Sequence, residues 1–291
     1  MTLQEIDDGA AAIRRLLNLG EPFFVGRNGT IEIQTIQFFL INRPKAPYPH
    51  VIRENIEKNA GIFPATDKSI DAWCKTYIDG LDVLDGVAAG WYAPMKDFEN
   101  RILFTAALSA FRCPLRSLEP YYVGTDLKWT HLLARKRVCV VSSFTKTIQR
   151  QLGSATIWTG ENKHLLPLSV DWCFAQTGYA PALALGKCGW PEGISSWREA
   201  VDMIVDTVVK SEASVALIGC GGLGMIIGAE LKRRGISAII LGGAIQVLFG
   251  IKGTRWATHQ TISKLWNDAW VWPAEDEVPS GAKLVEGGCY W

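Results

Sequence analysis

The last third of the chain sets the tightest limit on its fold. Two apolar runs, Val215–Ile218 and Ala238–Leu241, each end in a glycine turn that opens a helix. The first turn is Gly219-Cys220-Gly221-Gly222-Leu223-Gly224 and the second is Gly242-Gly243. Between them a helix closes on Lys232-Arg233-Arg234-Gly235, where basic side chains oppose the negative helix terminus and glycine suits the left-handed residue beyond it. Strand-helix-strand units joined by loops this short require parallel strands and right-handed crossovers. The predicted fold class is α/β: a Rossmann-like, doubly wound, mostly parallel sheet with helices on both faces. Ligands of such sheets gather in the loops after the strands.

The same alternation runs back through the chain. Pro22–Gly26 reads as a short buried strand, and after Arg27-Asn28-Gly29 the residues Ile31, Ile36, Phe39 and Leu40 recur at helical intervals until Pro44 stops them. Thr66 and Asp67 offer N-cap oxygens to a helix whose apolar face is Ile70, Trp73, Cys74, Tyr77, Leu81 and Leu84. Gly86 opens a strand Val87–Trp91, and Arg101–Phe111 reads as helix. Arg137–Val141 is a strand feeding a helix through Ile148 and Leu152, and Ser196–Glu199 is a capping box ahead of Ala200, Ile204 and Val208. The predicted organisation is one α/β domain over 1–272, with an N-terminal half of about 1–130 and a Rossmann-like half of 131–272. An irregular tail, 273–291, ends in Tyr290-Trp291, which suits docking over an acceptor cleft or across a homodimer; the sequence leaves both open.

Charge and composition exclude several classes. Thirty Lys and Arg against 29 Asp and Glu leave +1, so nothing advertises a nucleic-acid partner. Met1–Leu19 carries Glu5, Asp7, Asp8, Arg14 and Arg15 and lacks a secretory profile; the glycine-rich apolar runs are not membrane spans. The expectation is a cytoplasmic protein with no transmembrane segment. The 7 cysteines form no CxxC pair and the 4 histidines no zinc spacing, so reduced, mostly buried thiols are expected.

Backbone N–H groups of the first glycine turn, Gly219, Gly221 and Gly222, can hold a phosphate at the positive end of a helix. The same glycines equally permit tight helix–sheet packing. A dinucleotide enzyme would also place an acid about 20 residues on, and none follows Leu241-Gly242-Gly243-Ala244, which disfavours NAD. Gly242 and Gly243 admit a ligand close to the backbone, Gln246 points from a first helical turn toward the crevice, and Lys252 and Arg255 can neutralise a diphosphate. Ser143 stands where a strand feeds a helix N-terminus. Glu32 lies in line with Ile36, Phe39 and Arg43, so burial would raise its pKa toward a general base's range, while a metal or Arg27 would lower it; a simple helix-dipole role is the alternative. Trp91, Tyr121, Tyr122 and Trp129 sit near strand ends, where aromatic faces stack on sugars, although most of the 12 tryptophans belong in the core. Glu119 and Asp126 flank Pro120-Tyr121-Tyr122 as hydroxyl binders or as ordinary loop acids.

Several segments together resemble a family. They are Phe24–Glu32, Asn59–Pro64, Leu118–Tyr122, Val140–Phe144, the 219–224 turn and Leu241–Trp256, spanning Phe23 to Trp256. The chain is similar to a widespread group of Rossmann-like proteins related to GT-D-type glycosyltransferases. That resemblance implies a nucleotide-sugar donor, a glycan hydroxyl as acceptor, a role in glycan or polysaccharide biosynthesis, and commonly a divalent cation, manganese or magnesium. The family's arginine, glycine and Asp-x-Glu pattern falls on Arg27, Gly29 and Glu32, with Thr30 where the aspartate belongs. Glu32 is then the candidate base and sole candidate metal ligand, with Arg27 beside it. The 219–222 and 242–246 loops, Lys252, Arg255 and Ser143 take the nucleotide-sugar; Asn59, Trp91, Glu119, Tyr121 and Tyr122 take the acceptor. Two other readings use the same residues: a nucleotide-dependent oxidoreductase, and a non-catalytic nucleotide- or glycan-binding module.

Overall fold

The computed structural model describes residues 2–154, 157–285 and 287–291, and its seven described strands form one parallel sheet. They are β1 (Phe24–Arg27), β2 (Gly86–Ala88), β3 (Phe111–Cys113), β4 (Arg137–Ser142), β5 (Asp171–Gln176), β6 (Val215–Gly219) and β7 (Ser237–Ile240). Their order is β3-β2-β1-β7-β6-β4-β5, a Rossmann-like α/β sheet. In the central strands the side chains are buried except Arg137 at the start of β4 and Arg27 at the end of β1, and alternate residues feed two cores. Cys139, Val141, Ala216 and Ile218 face one; Val138, Val140, Val215 and Leu217 face the other. Burial on both faces is why these strands read as unbroken apolar runs.

Helices Thr30–Asn42, Asp67–Gly80, Trp197–Lys210 and Gly224–Arg233 cover the first face. Asp67–Gly80 is built as its sequence requires: the Thr66 hydroxyl accepts the Ser69 N–H, while Ile70, Trp73, Cys74 and Tyr77 are fully covered. Each such large side chain contributes about 1.5–3 kcal/mol by leaving water. The Trp73 indole also donates to the Gly222 carbonyl at 3.1 Å, tying the N-terminal half to the first glycine turn. On the opposite face lie Leu3–Leu19, Thr145–Leu152 and Ala244–Leu248. Leu3–Leu19 is an unpredicted helix, although Thr2 and Glu5 form a full capping box and Ile6, Ala10, Ile13 and Leu17 recur at three- and four-residue steps.

Other boundaries shift for local reasons. The strand predicted over Val87–Trp91 stops at Ala88, because Gly90 takes φ +71 and the chain turns there. The predicted helix Arg101–Phe111 runs instead over Lys96–Ala106, and Phe111 begins β3. Ser196 caps its helix by accepting the Glu199 N–H, while the Glu199 carboxylate takes the backbone N–H of Ser195 rather than that of Ser196. Beyond 272 the described tail forms only short 3-10 turns, yet it is packed. Glu277 accepts the N–H groups of Lys146 and Thr147 at the start of Thr145–Leu152, and the Trp291 ring lies 5.8 Å from that of Tyr179. Among the described residues no helix is long and apolar enough to cross a membrane.

The topology places the site. The helix after β1 lies on the first face and the helix after β7 on the second, so the chain diverges between these neighbouring strands and leaves a crevice at their C-terminal ends.

Candidate functional site

Residues at the C-terminal ends of all seven strands line one cavity of about 1300 Å³. Pockets for one small ligand run to roughly 300–1,000 Å³, so this cavity is larger than a single small ligand requires. At its centre stands Arg27, the last residue of β1. Its guanidinium lies 4.9 Å from the centre of the Trp91 ring and directly over Gly242. Gly242 has φ +57, and a Cβ there would stand 2.6 Å from an Arg27 nitrogen, so the residue is glycine on both counts. No hydrogen bond or ion pair engages the Arg27 guanidinium among the described residues. None of its donors is spent within the described protein, and the side chain lines the cavity.

Two carboxyl groups share the field of Arg27. Glu32 is buried, with its side chain folded back over Gly29, where any Cβ would run into the carboxylate. Burial pushes its pKa up, against the opposing pull of its own backbone N–H and of Arg27. Glu119, at the turn after β3, is pushed up to about 7 by burial, partly offset by Arg27 and Arg116. Its carboxylate makes no hydrogen bond among the described residues, so it is free to take one from a ligand hydroxyl.

Behind Arg27 a buried polar network fixes the loops. Asn28 donates to Glu99 at 2.8 Å and accepts the Tyr77 hydroxyl at 2.7 Å; Glu99 also accepts the Gly90 N–H, and the Trp91 indole donates to the Asn28 carbonyl. Every member has a partner, which is what allows such a network to specify one geometry. Trp91 is thereby held as a partly exposed platform, 36% accessible, with Arg27 on its face.

On the other wall Gly219, Gly221, Gly242, Gly243, Gln246, Arg255 and Ser143 all reach the cavity. Their polar groups are largely engaged within the protein. The Gln246 amide donates to the Tyr290 carbonyl at 2.8 Å, Arg255 donates to the Tyr290 hydroxyl at 2.8 Å, and the Ser143 hydroxyl accepts that of Tyr179 at 2.9 Å. The end of the tail thus forms part of this wall. Asn59 also lines the cavity, and its buried Oδ1 has no hydrogen-bond partner. Tyr122 reaches it with Arg116 stacked 4.5 Å from its ring.

Three predicted site residues require correction. Gly222 faces the N-terminal half: its carbonyl accepts Trp73 and its N–H donates to the Ala60 carbonyl at 2.8 Å, so that N–H is not left for a phosphate. Lys252 lies outside the cavity lining, with its ammonium 5.5 Å from the Trp266 ring centre. Tyr121 is buried and stacked 5.7 Å from Trp158, because an aromatic next to a turn is more cheaply packed than exposed. Trp129, also considered for sugar stacking, is fully buried.

Several lining residues escaped the sequence. Lys96, Arg112 and Arg116 come from two elements and a turn and form no motif. His259 accepts the N–H groups of Thr261 and Ile262 on Nδ1, which places the proton of its neutral ring on Nε2. Trp190 and Tyr179 complete the β5 side. Among the described residues no group of three or more His, Cys, Asp or Glu side chains could hold a metal ion. A divalent cation also fits poorly on chemical grounds. Thr30 replaces one carboxylate of the expected pair, leaving Glu32, and both Glu32 and Glu119 stand in the field of a guanidinium.

No family model matches the chain, and no curated protein matches it. Among solved structures it is similar to the selenomethionine-substituted structure of a domain of unknown function, DUF1792. The identity is 12% and the TM-score 0.43, over 95% of this chain and 96% of that one.

Proposed function

We propose that this protein is a glycosyltransferase that moves a sugar from a nucleotide-sugar donor to a hydroxyl of a glycan acceptor. The observation that carries the reading is Arg27: an unengaged guanidinium in a cavity larger than one small ligand requires, flanked by two carboxyl groups whose pKa values burial has raised. Each part has a task in such a transfer. Arg27 binds the donor diphosphate in two-point fashion and stabilises the charge that grows on it as the sugar leaves, a job for which no metal is needed. Gly242 and Gly243 let the diphosphate approach the backbone, with Arg255 and Gln246 beside it. Trp91 offers a face to a sugar ring.

Glu32 takes the proton of the attacking hydroxyl, and Glu119 accepts a hydrogen bond from the acceptor and orients it. A carboxyl raised toward neutrality is a stronger base once ionised than an exposed one, which suits Glu32 to deprotonation in the transition state.

The experiment is a stability screen against UDP-, GDP-, TDP- and CMP-sugars with and without manganese, followed by a transfer assay with the stabilising donor. Glu32→Gln should lower transfer by about 100-fold or more while leaving donor affinity within about threefold, because a general base acts in the transition state. Near wild-type turnover of folded Glu32→Gln would remove Glu32 from the role. A protein that no nucleotide-sugar stabilises would end the reading.

A further inference from the structure

Several cations of this chain are paired with acids: Arg43 with Asp67 and Asp71, Arg137 with Asp171, Lys232 with Asp85, Arg234 with Asp206 and, on the cavity lining, Lys58 with Glu54. At the β3 end of the cavity Arg15, Lys96, Arg112 and Arg116 make no ion pair among the described residues, Arg116 standing only in the field of Glu119. Arg15 comes from the helix Leu3–Leu19, Lys96 from Lys96–Ala106, Arg112 from β3 itself and Arg116 from the turn after it. Packing brings them together. Gly9 has no Cβ, which lets Leu3–Leu19 close against Cys113 and Ser117, and Arg112 donates to Asn100 on the neighbouring helix at 3.2 Å.

Two acids share this rim, and both have local tasks. Glu5 closes the capping box with Thr2, and Asp8 accepts the Gln4 amide at 2.7 Å. Glu119, which burial pushes up to about 7, adds about half a negative charge near neutrality. The rim therefore keeps a positive excess although the whole chain carries only +1. Four cations gathered from separate elements outnumber the acids beside them, and an anionic ligand relieves the repulsion that is left.

Resting on the transferase reading, we propose that the acceptor is an acidic glycan, carrying a carboxylate or phosphate that Arg15, Lys96 and Arg112 bind while its attacking hydroxyl reaches Glu119 and Glu32. The donor diphosphate occupies the Arg27 end, and the acceptor's charge fixes its register at the opposite end. Arg116, stacked on Tyr122, lies between the two.

The test is calorimetric titration of the full chain with trigalacturonate, mannose 6-phosphate and neutral maltotriose, alongside UDP, GDP, TDP and CMP. It uses wild type, the double variant Arg15→Gln/Arg112→Gln and the single variant Arg27→Gln. Both residues of the double variant are exposed, so the fold should persist, and matched thermal unfolding checks that it does. Binding of at least one charged glycan should be tenfold or more tighter than that of maltotriose. It should weaken at least tenfold in the double variant, while nucleotide affinity moves less than twofold. Whether trigalacturonate or mannose 6-phosphate responds names the anionic group. Charged glycans that bind no better than maltotriose, or bind the double variant unchanged, overturn the acidic acceptor even if a nucleotide binds and the transferase reading stands. Rim-dependent glycan binding without any nucleotide binding has the opposite meaning: the rim site stands and the transferase reading falls.

Discussion

The two walls of the cavity satisfy their polar groups in different ways. The glycine-rich wall after β6 and β7 carries the most conspicuous motif in the chain, yet much of it is engaged internally. Gly222 is bonded to Ala60 and Trp73, Gln246 to the tail, and a Cβ on Gly219 would meet Ile245 and the Gly242 carbonyl. The wall after β1, β2 and β3 carries no complete motif, yet it holds an unengaged guanidinium and two carboxyls raised by burial. Buried or half-buried charge without a partner is unfavourable to the fold, and a ligand that completes it recovers the loss. The proposed reading therefore puts the reacting groups on the wall with the unengaged guanidinium, while on the glycine wall Gln246 Oε1 is left without a partner.

The largest expected effect comes from removing the unengaged cation. Arg27→Gln should weaken binding of the donor nucleoside diphosphate by about 10- to 100-fold, the worth of a charge-assisted bidentate contact, with thermal stability nearly unchanged. If titration showed the diphosphate bound equally well by Arg27→Gln but lost on Arg255→Gln, the two walls would exchange roles.

The next effect is on stability and follows from Glu119. Its folded pKa is raised to about 7, so the folded state holds that proton more tightly than the unfolded chain does. Stability from this group is fully present below the unfolded carboxylate range and is lost as pH rises through about 7. Glu119→Gln escapes the loss. Denaturant titrations at pH 5 and pH 8 should show the variant gaining on wild type by about 1–3 kcal/mol at the higher pH, while it transfers sugar more slowly. Parallel curves at both pH values would show that Glu119 is not strained by burial.

The smallest effect tests the glycine wall. Gly222→Ala brings a Cβ to 3.2 Å from Ala60 and Ile62 atoms, so it should cost about 1–2 kcal/mol of stability yet shift nucleotide affinity less than twofold. Lost nucleotide binding with unchanged stability would restore Gly222 to a phosphate cradle and erase the contrast.

Some of this was legible in the chain itself. Strands β4, β6 and β7 are buried on both faces, and their apolar runs, glycine turns and capped helices announce a parallel α/β sheet locally. Glu32 was legible too, since a lone acid in line with Ile36 on a helix is placed by period alone. Strands β3 and β5 were not. They are the sheet edges: β3 has three residues, and in β5 the apolar run Trp172–Ala175 is bracketed by polar residues, is mostly half-buried and shows no alternation. For the same reason nothing foretold that Lys96, Arg112 and Arg116 would share a cavity with Glu119, or that Tyr121 and Lys252 would not. Local periodicity determines which residues form a strand or a helix and which side chains line up on it. Which loops meet, which donors are already spent and which charges are left without partners depend on contacts between segments distant in the chain, and only the tertiary structure decides those.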